Sequence, residues 1–376
     1  LMKRYALSGS RDDLVAAAAL LSAAPDRGAV DVMLKGFEEA FQGRSLAGIP
    51  DELAEAIAKS GGGSLALRVR QGQPDAVDQA ITTVLNPGAD RAQRQQLVEV
   101  FGQVDLPAVD AALLQLVKQE SEEQLLTAAI TALQSSKESQ TAAAIVARFS
   151  DLNGTARLAA EATLSSRLDW SRQLLLAIDS GTIAPEAIST QSLRKMLLFS
   201  DSRIKQLIEK HYGEVAGAST AQMQAEMSRV AQILSVGTGN PKAGKILFAK
   251  NCGRCHILFD EGGKVGPDLT PFARNDLNRM LSNIINPSLE IREGFETQLV
   301  MTSDGRILTG FLADKDNQVV ILRGVDGQNV IVRHDEIDEM QAVPQSVMPE
   351  GTLKELNEQQ LRDLFAYLRA SQPVNY

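Results

Sequence analysis

Cys252-Gly253-Arg254-Cys255-His256 is the one stretch of this 376-residue chain whose spacing dictates a chemistry. Two thiols three positions apart fall on one side of a helical turn. There they can reach the two vinyl groups of a single porphyrin and form thioethers, while the next residue, a histidine, is held beneath the iron. The spacing therefore predicts one covalent haem c, anchored by Cys252 and Cys255, with His256 as proximal ligand. Both cysteines of the chain are used in this motif, so no disulfide framework or second metal knuckle competes for them.

Competing readings of the motif ask for residues in other places. A structural zinc site wants four ligands, and beyond these cysteines the chain offers only His211, His256 and His334. A thioredoxin-like pair stands after a strand at a helix start, whereas the residues before Cys252 read as helix.

The length allows two or three domains with a sizeable core. Net charge is -9 with a pI near 5.1 and no run of Lys or Arg, which disfavours a nucleic-acid partner. No stretch of about eighteen apolar residues is present, so no spanning helix is expected. Leu1-Met2-Lys3-Arg4 lacks the apolar core of a signal peptide. Because covalent haem attachment takes place outside the bacterial cytoplasm, the motif predicts a periplasmic or otherwise exported chain whose signal is not in this sequence.

From about Asp12 to about Ser235 the sequence is rich in Ala and Leu, with apolar residues at helical spacing. Leu113, Leu114, Leu116 and Val117, then Leu125, Leu126, Ala129, Ile130 and Leu133, give successive apolar faces about one helix apart. Breaks fall at Pro25, Gly72-Gln73-Pro74, Asn86-Pro87-Gly88, Asp105-Leu106-Pro107, Ser135-Ser136-Lys137 and Asn153-Gly154. Short helices on short turns suggest a stack resembling HEAT repeats, although no fixed period can be read. A compact, irregular helical bundle is the alternative.

Gly237-Thr238-Gly239-Asn240-Pro241 is a composition break, which places a helical region at 1–236 and a second domain at 237–376. Pro241 suits the first turn of a helix carrying Gly244, Ile246, Leu247 and Phe248 into the motif. At the far end Asn357 suits the cap of a helix with Leu361, Leu364, Phe365, Tyr367 and Leu368 on one face. Between them, β-prone runs at 295–301, 307–312, 319–322 and 330–332 are separated by turn signals at Ser303-Asp304-Gly305, Asp314-Lys315-Asp316-Asn317 and Val325-Asp326-Gly327. They predict a small antiparallel β insertion of about four strands at about 295–334, serving as haem cover or docking face.

An iron with His256 on one side needs either a strong second ligand or an open face. Met348, in Ser346-Val347-Met348-Pro349-Glu350-Gly351, stands in a loop that Pro349 keeps extended; the alternative is a methionine that merely fills a gap. Met340, Met301 and Met280 are weaker candidates on regular elements. A ligating histidine needs its other ring nitrogen fixed, and the backbone carbonyl near Pro267, in Gly266-Pro267-Asp268-Leu269, can do this; a plain turn is the alternative. Arg254, Lys264 and Arg274 are propionate candidates or solvated charges. His211 and His334 read as surface or capping residues, and Asp335, Glu336, Asp338 and Glu339 as a solvated turn or a face for a basic redox partner.

With these pieces in place, residues from about 160 to 376 resemble the Pirellula/Verrucomicrobium-type haem-binding domain family of planctomycetes and verrucomicrobia. The resemblance is carried by Trp170 with Leu174-Leu175 and Ala177-Ile178 ahead of Gly181, by 244–248, and by the Cys252 to His256 motif. It continues through Gly266-Pro267-Asp268-Leu269, Asn286-Pro287-Ser288 with Ile291, 302–310 around Asp304-Gly305, and 346–351. It implies a class I cytochrome c core interrupted by a β insertion, with His256 and Met348 as axial ligands. It also implies that Gly244 and Phe248 on the first helix, and Leu364 and Tyr367 on the last, belong to a cross-packed pair. The preceding helices are similar to the HEAT-like segment that often stands before this domain. Many members carry a propeller resembling quinone-dependent sugar dehydrogenases still further upstream, and nothing of that kind is in this sequence.

The expectation is thus a mainly α chain: HEAT-like repeats, then a monohaem cytochrome c domain accepting electrons from a dehydrogenase and passing them to a downstream cytochrome or oxidase. The alternatives are a haem enzyme or a gas or redox sensor with an open distal face, and a repeat-based interaction protein.

Overall fold

The computed structural model describes residues 1–41, 46, 49–61, 63–213, 215, 220–292, 294–315 and 318–374. The chain divides into two compact units. The first comprises Leu1–Thr163, Ala313–Leu322 and Gln328–Ile337, the second Leu164–Leu312, Arg323–Gly327 and Asp338–Tyr376.

The helices of the first unit are α1 (Met2–Ser8), α2 (Arg11–Ser22), α3 (Arg27–Ala40), α4 (Asp51–Lys59), α5 (Leu65–Arg70), α6 (Pro74–Leu85), α7 (Arg91–Phe101), α8 (Pro107–Gln119), α9 (Glu123–Ala132), α10 (Gln140–Arg148) and α11 (Gly154–Leu164). Local chemistry sets their ends. Pro74 and Pro107 open α6 and α8, where a missing N–H costs nothing, and Asp26 and Asp90 accept backbone N–H groups at the starts of α3 and α7. In α8 the buried Val109, Ala112, Leu113, Leu116 and Val117 follow the i, i+3, i+4 stripe of a helix with one packed face. Packing runs between neighbours and, repeatedly, between a helix and the next but one: α1 on α3, α2 on α4, α5 on α7, α6 on α8, α7 on α9 and α8 on α10.

The second unit holds α12 (Leu168–Asp179), α13 (Thr190–Leu197), α14 (Ser202–Tyr212), α15 (Thr220–Ser235), α16 (Pro241–Asn251), α17 (Leu277–Ile285) and α18 (Glu358–Leu368), with a short hairpin of β1 (Ile257–Leu258) and β2 (Glu261–Gly262). Its core gathers Phe248, Leu258, Leu281, Leu361, Leu364 and Tyr367, together with Met223 and Val230 of α15. The partition therefore differs from a boundary at 236/237. Residues 236–240 join two helices of one core, because α15 packs on α17 and α18. A Gly- and Asn-rich stretch marks a turn, and a turn becomes a domain boundary only if no apolar face crosses it.

Five further strands follow, β3 (Thr297–Thr302), β4 (Ile307–Lys315), β5 (Val319–Arg323), β6 (Asn329–Arg333) and β7 (Ile337–Val343), and within the second unit β4, β3 and β7 lie side by side in that order. In the second unit β3 runs antiparallel to β4, Leu299 opposite Thr309 and Met301 opposite Ile307. The outer part of β4, with most of β5 and β6, belongs to the first unit. In the β3–β4 turn Gly305 takes φ 80° while Asp304 does not turn positive, so the glycine alone supplies the left-handed residue. Asp316 and Asn317 of the expected β4–β5 turn lie outside the described residues.

One strand was not expected. β7 includes Asp338 and Glu339 of the acidic run, and its inward-tending residues, Ile337, Met340 and Val343, recur every third position. That is not the alternation of a half-buried strand, and pairing beside β3, rather than patterning, makes this segment extended. The same hairpin is tied to the start of α12: Ile307 N donates to Ser166 O at 2.8 Å, and Arg167, its guanidinium 5.0 Å from the Trp170 ring centroid, pairs with Asp304 at 2.9 Å.

Candidate cofactor site

The motif sits where α16 runs out. Asn240 caps that helix on Lys242 N and Pro241 opens it. At its end Cys252 N still reaches Phe248 O at 2.8 Å, after which a single tight turn closes, with Cys255 N 3.1 Å and His256 N 2.9 Å from Cys252 O. Both thiols and the imidazole are thereby carried on one turn.

The Gly-rich segment that follows folds back along this turn. Gly263 N donates to Gly253 O, and both Val265 N and Gly266 N donate to Cys255 O. The approach leaves no room for side chains. A Cβ at Gly262 would stand 2.1 Å from His256 O, one at Gly263 1.8 Å from Arg254 O, and one at Gly266 2.6 Å from the imidazole Cε1 of His256. The chain reverses between β1 and β2 through Phe259 and Asp260, both left-handed at φ 56° and 63°. Phenylalanine is unusual there. Its N–H donates to Thr270 Oγ1 at 2.8 Å, and its ring lies 6.2 Å from Tyr367 and 4.8 Å from the Arg274 guanidinium.

His256 Nδ1 lies 2.9 Å from the carbonyl oxygen of Pro267. A carbonyl only accepts, so Nδ1 carries the proton and Nε2 keeps its lone pair. Burial pushes the imidazole pKa down, opposed by that hydrogen bond, and the ring is kept neutral as a metal ligand must be. Burial, reinforced by the neighbouring Cys255, pushes the Cys252 thiol up to about 12, and burial also raises Cys255. Thiols held protonated are poor thiolate ligands and poor redox nucleophiles. A thioether carries no charge, so converting both thiols into thioethers suits this apolar setting, and the donor set fits a covalently attached haem. Among the described residues no group of three or more His, Cys, Asp or Glu is arranged to hold a bare metal ion.

Helices α16 and α18 cross beside the motif. Phe248 and Tyr367 pack with ring centroids 5.4 Å apart, a contact worth about 1 kcal/mol beyond area burial. Asn240 N donates to Asp363 Oδ1 at 2.7 Å. Asn357 caps α18 in a reciprocal box with Gln360.

Met348 lies partly buried in the loop between β7 and α18. Its N–H donates to Ser346 Oγ at 3.1 Å, Ser346 N donates to Ser288 Oγ at 3.1 Å, and Thr297 Oγ1 donates to Gln345 O at 2.6 Å. Five residues on, Leu353 enters the core that also receives Cys252. Of the other methionines, Met280 packs on that core from α17, Met301 lies in β3 and Met340 in β7. Arg274 is committed to the chain end, Nη1 donating to Leu368 O and Ala370 O at 2.8 Å each, while Arg254 and Lys264 are exposed. His211 Nε2 is 2.7 Å from Asp179 Oδ1, and His334 belongs to the first unit.

Gln191 and Arg194, which also hold the Met348 loop, have no motif around them, so nothing in their local sequence singles them out. No protein-family model matches the chain, and a search of curated proteins finds no match. No helix among the described residues is long and apolar enough to cross a membrane.

Proposed function

We propose that this chain is an exported monohaem c-type cytochrome that takes electrons from a dehydrogenase and passes them to a further redox protein. The observation that carries the reading is the geometry of His256: it ends a C-x-x-C-H turn and points Nδ1 at the Pro267 carbonyl, which leaves Nε2 available to iron.

Cys252 and Cys255 would anchor the group, His256 would ligate it, Pro267 would fix the ring, and Met348 would supply the second axial atom. The bound haem would supply one-electron redox chemistry, and a His/Met pair would raise its potential relative to two nitrogen ligands. The close crossing of α16 and α18 supports a class I cytochrome arrangement, and packing of helices on the next but one supports HEAT-like repeats before it.

The test is the visible spectrum of protein matured with haem-attachment machinery. The expected result is covalent haem with the far-red band of a methionine sulfur on ferric iron. Met348→Ala should keep the haem, lose the band and open the iron to cyanide or carbon monoxide. A high-spin wild-type spectrum would instead favour ligand binding or catalysis at an open face.

A further inference from the structure

The loop carrying Met348 is fastened by two side chains of α13, more than 150 positions earlier in sequence. Gln191 Nε2 donates to Ser346 O and, at 3.4 Å, to Met348 O. Arg194, one turn further along α13, pairs with Glu350 at 3.4 Å, both side chains being largely sheltered from solvent. The fastened residues, 346, 348 and 350, bracket the methionine on both sides. With Met348 N held by Ser346 Oγ, both backbone polar groups of the residue are engaged within the protein.

We propose that Gln191 and Arg194 are positioning residues for Met348, so that α13 sets how readily the methionine is displaced from the iron. The inference rests on the reading of Met348 as axial ligand. A thioether is a neutral, weak ligand, and its hold on ferric iron against an external competitor depends on how closely the chain confines it. The two backbone carbonyls take the Gln191 amide as donor, so an isosteric side chain without N–H groups keeps the packing and loses the clamp. Arg194 adds an ion pair whose removal costs less.

The experiment titrates ferric holoprotein with imidazole, following the far-red band, in the wild type, Gln191→Met, Arg194→Gln and the exchange Arg194→Glu with Glu350→Arg. Gln191→Met is expected to bind imidazole about fivefold to tenfold more tightly. Arg194→Gln should tighten binding about twofold, and the exchange should return it to the wild-type value. Wild-type affinity in a folded Gln191→Met overturns the inference. If that variant does not fold, wild-type affinity in Arg194→Gln overturns it. Those results leave the ligand reading standing. A wild type without the far-red band removes the reading itself, and the inference with it.

Discussion

A Cβ placed on Gly244 of α16 would stand 1.9 Å from the carbonyl oxygen of Asp363 in α18 and 2.8 Å from Tyr367 Cβ. Glycine in a helix costs about 1 kcal/mol relative to alanine, so propensity alone favours replacing it. The crossing reverses that sign, because backbone cannot yield to a methyl group at such a distance.

Gly244→Ala should therefore destabilise the second unit by about 3 kcal/mol or more, with the helices forced apart. Urea denaturation measures it. A neutral or stabilising result would mean that the helices separate at little cost.

Gly266→Ala is expected to act on the imidazole. Its new methyl would meet His256 Cε1 at 2.6 Å and push the ring from the Pro267 carbonyl. The cysteines are untouched, so on the haem reading proposed above the group should still attach, while the ferric spectrum shifts toward high spin. An unchanged spectrum would show that the ring retains its place by other means.

Asp304 predicts an acid-sensitive contact. Burial opposes its ionisation, but Thr302 Oγ1 at 2.5 Å, Arg306 Nε at 2.9 Å and Arg167 hold it ionised and bring its pKa from 3.8 to about 2. A depressed carboxylate stabilises the fold above its unfolded pKa and loses that contribution as pH falls through the folded value. After allowance for solvent screening the contribution is about 1 to 2 kcal/mol. The stability gap between wild type and Asp304→Asn should be constant above about pH 5 and shrink toward pH 2. A gap independent of pH would dismiss Asp304 as the titrating group.

Asp260 occupies the left-handed region at φ 63°. Asp260→Gly should stabilise the protein by about 0.5 kcal/mol, read from the urea midpoint, since the native conformation is one glycine adopts freely. Loss of stability would reveal a contact made by the carboxylate.

Much of the molecule is legible one segment at a time. The spacing of Cys252, Cys255 and His256, the stripe of α8, the prolines opening α6, α8 and α16 and the cap at Asn357 all act over a turn or two of chain, and local pattern suffices to find them. Gly305 likewise announces its turn, since few residues take positive φ.

Other features exist only through contacts distant in sequence. β7 is extended because β3 pairs with it, despite a pattern of period three. Residues 236–240 prove to be a turn within a core, because Met223 and Val230 reach across to the helices that follow. Gln191 has no local reason to matter until the fold carries Ser346 and Met348 to it. Chain composition records what each segment can bury or turn, whereas strand pairing, shared cores and backbone clamps depend on which segments meet, and that information lies in no single stretch.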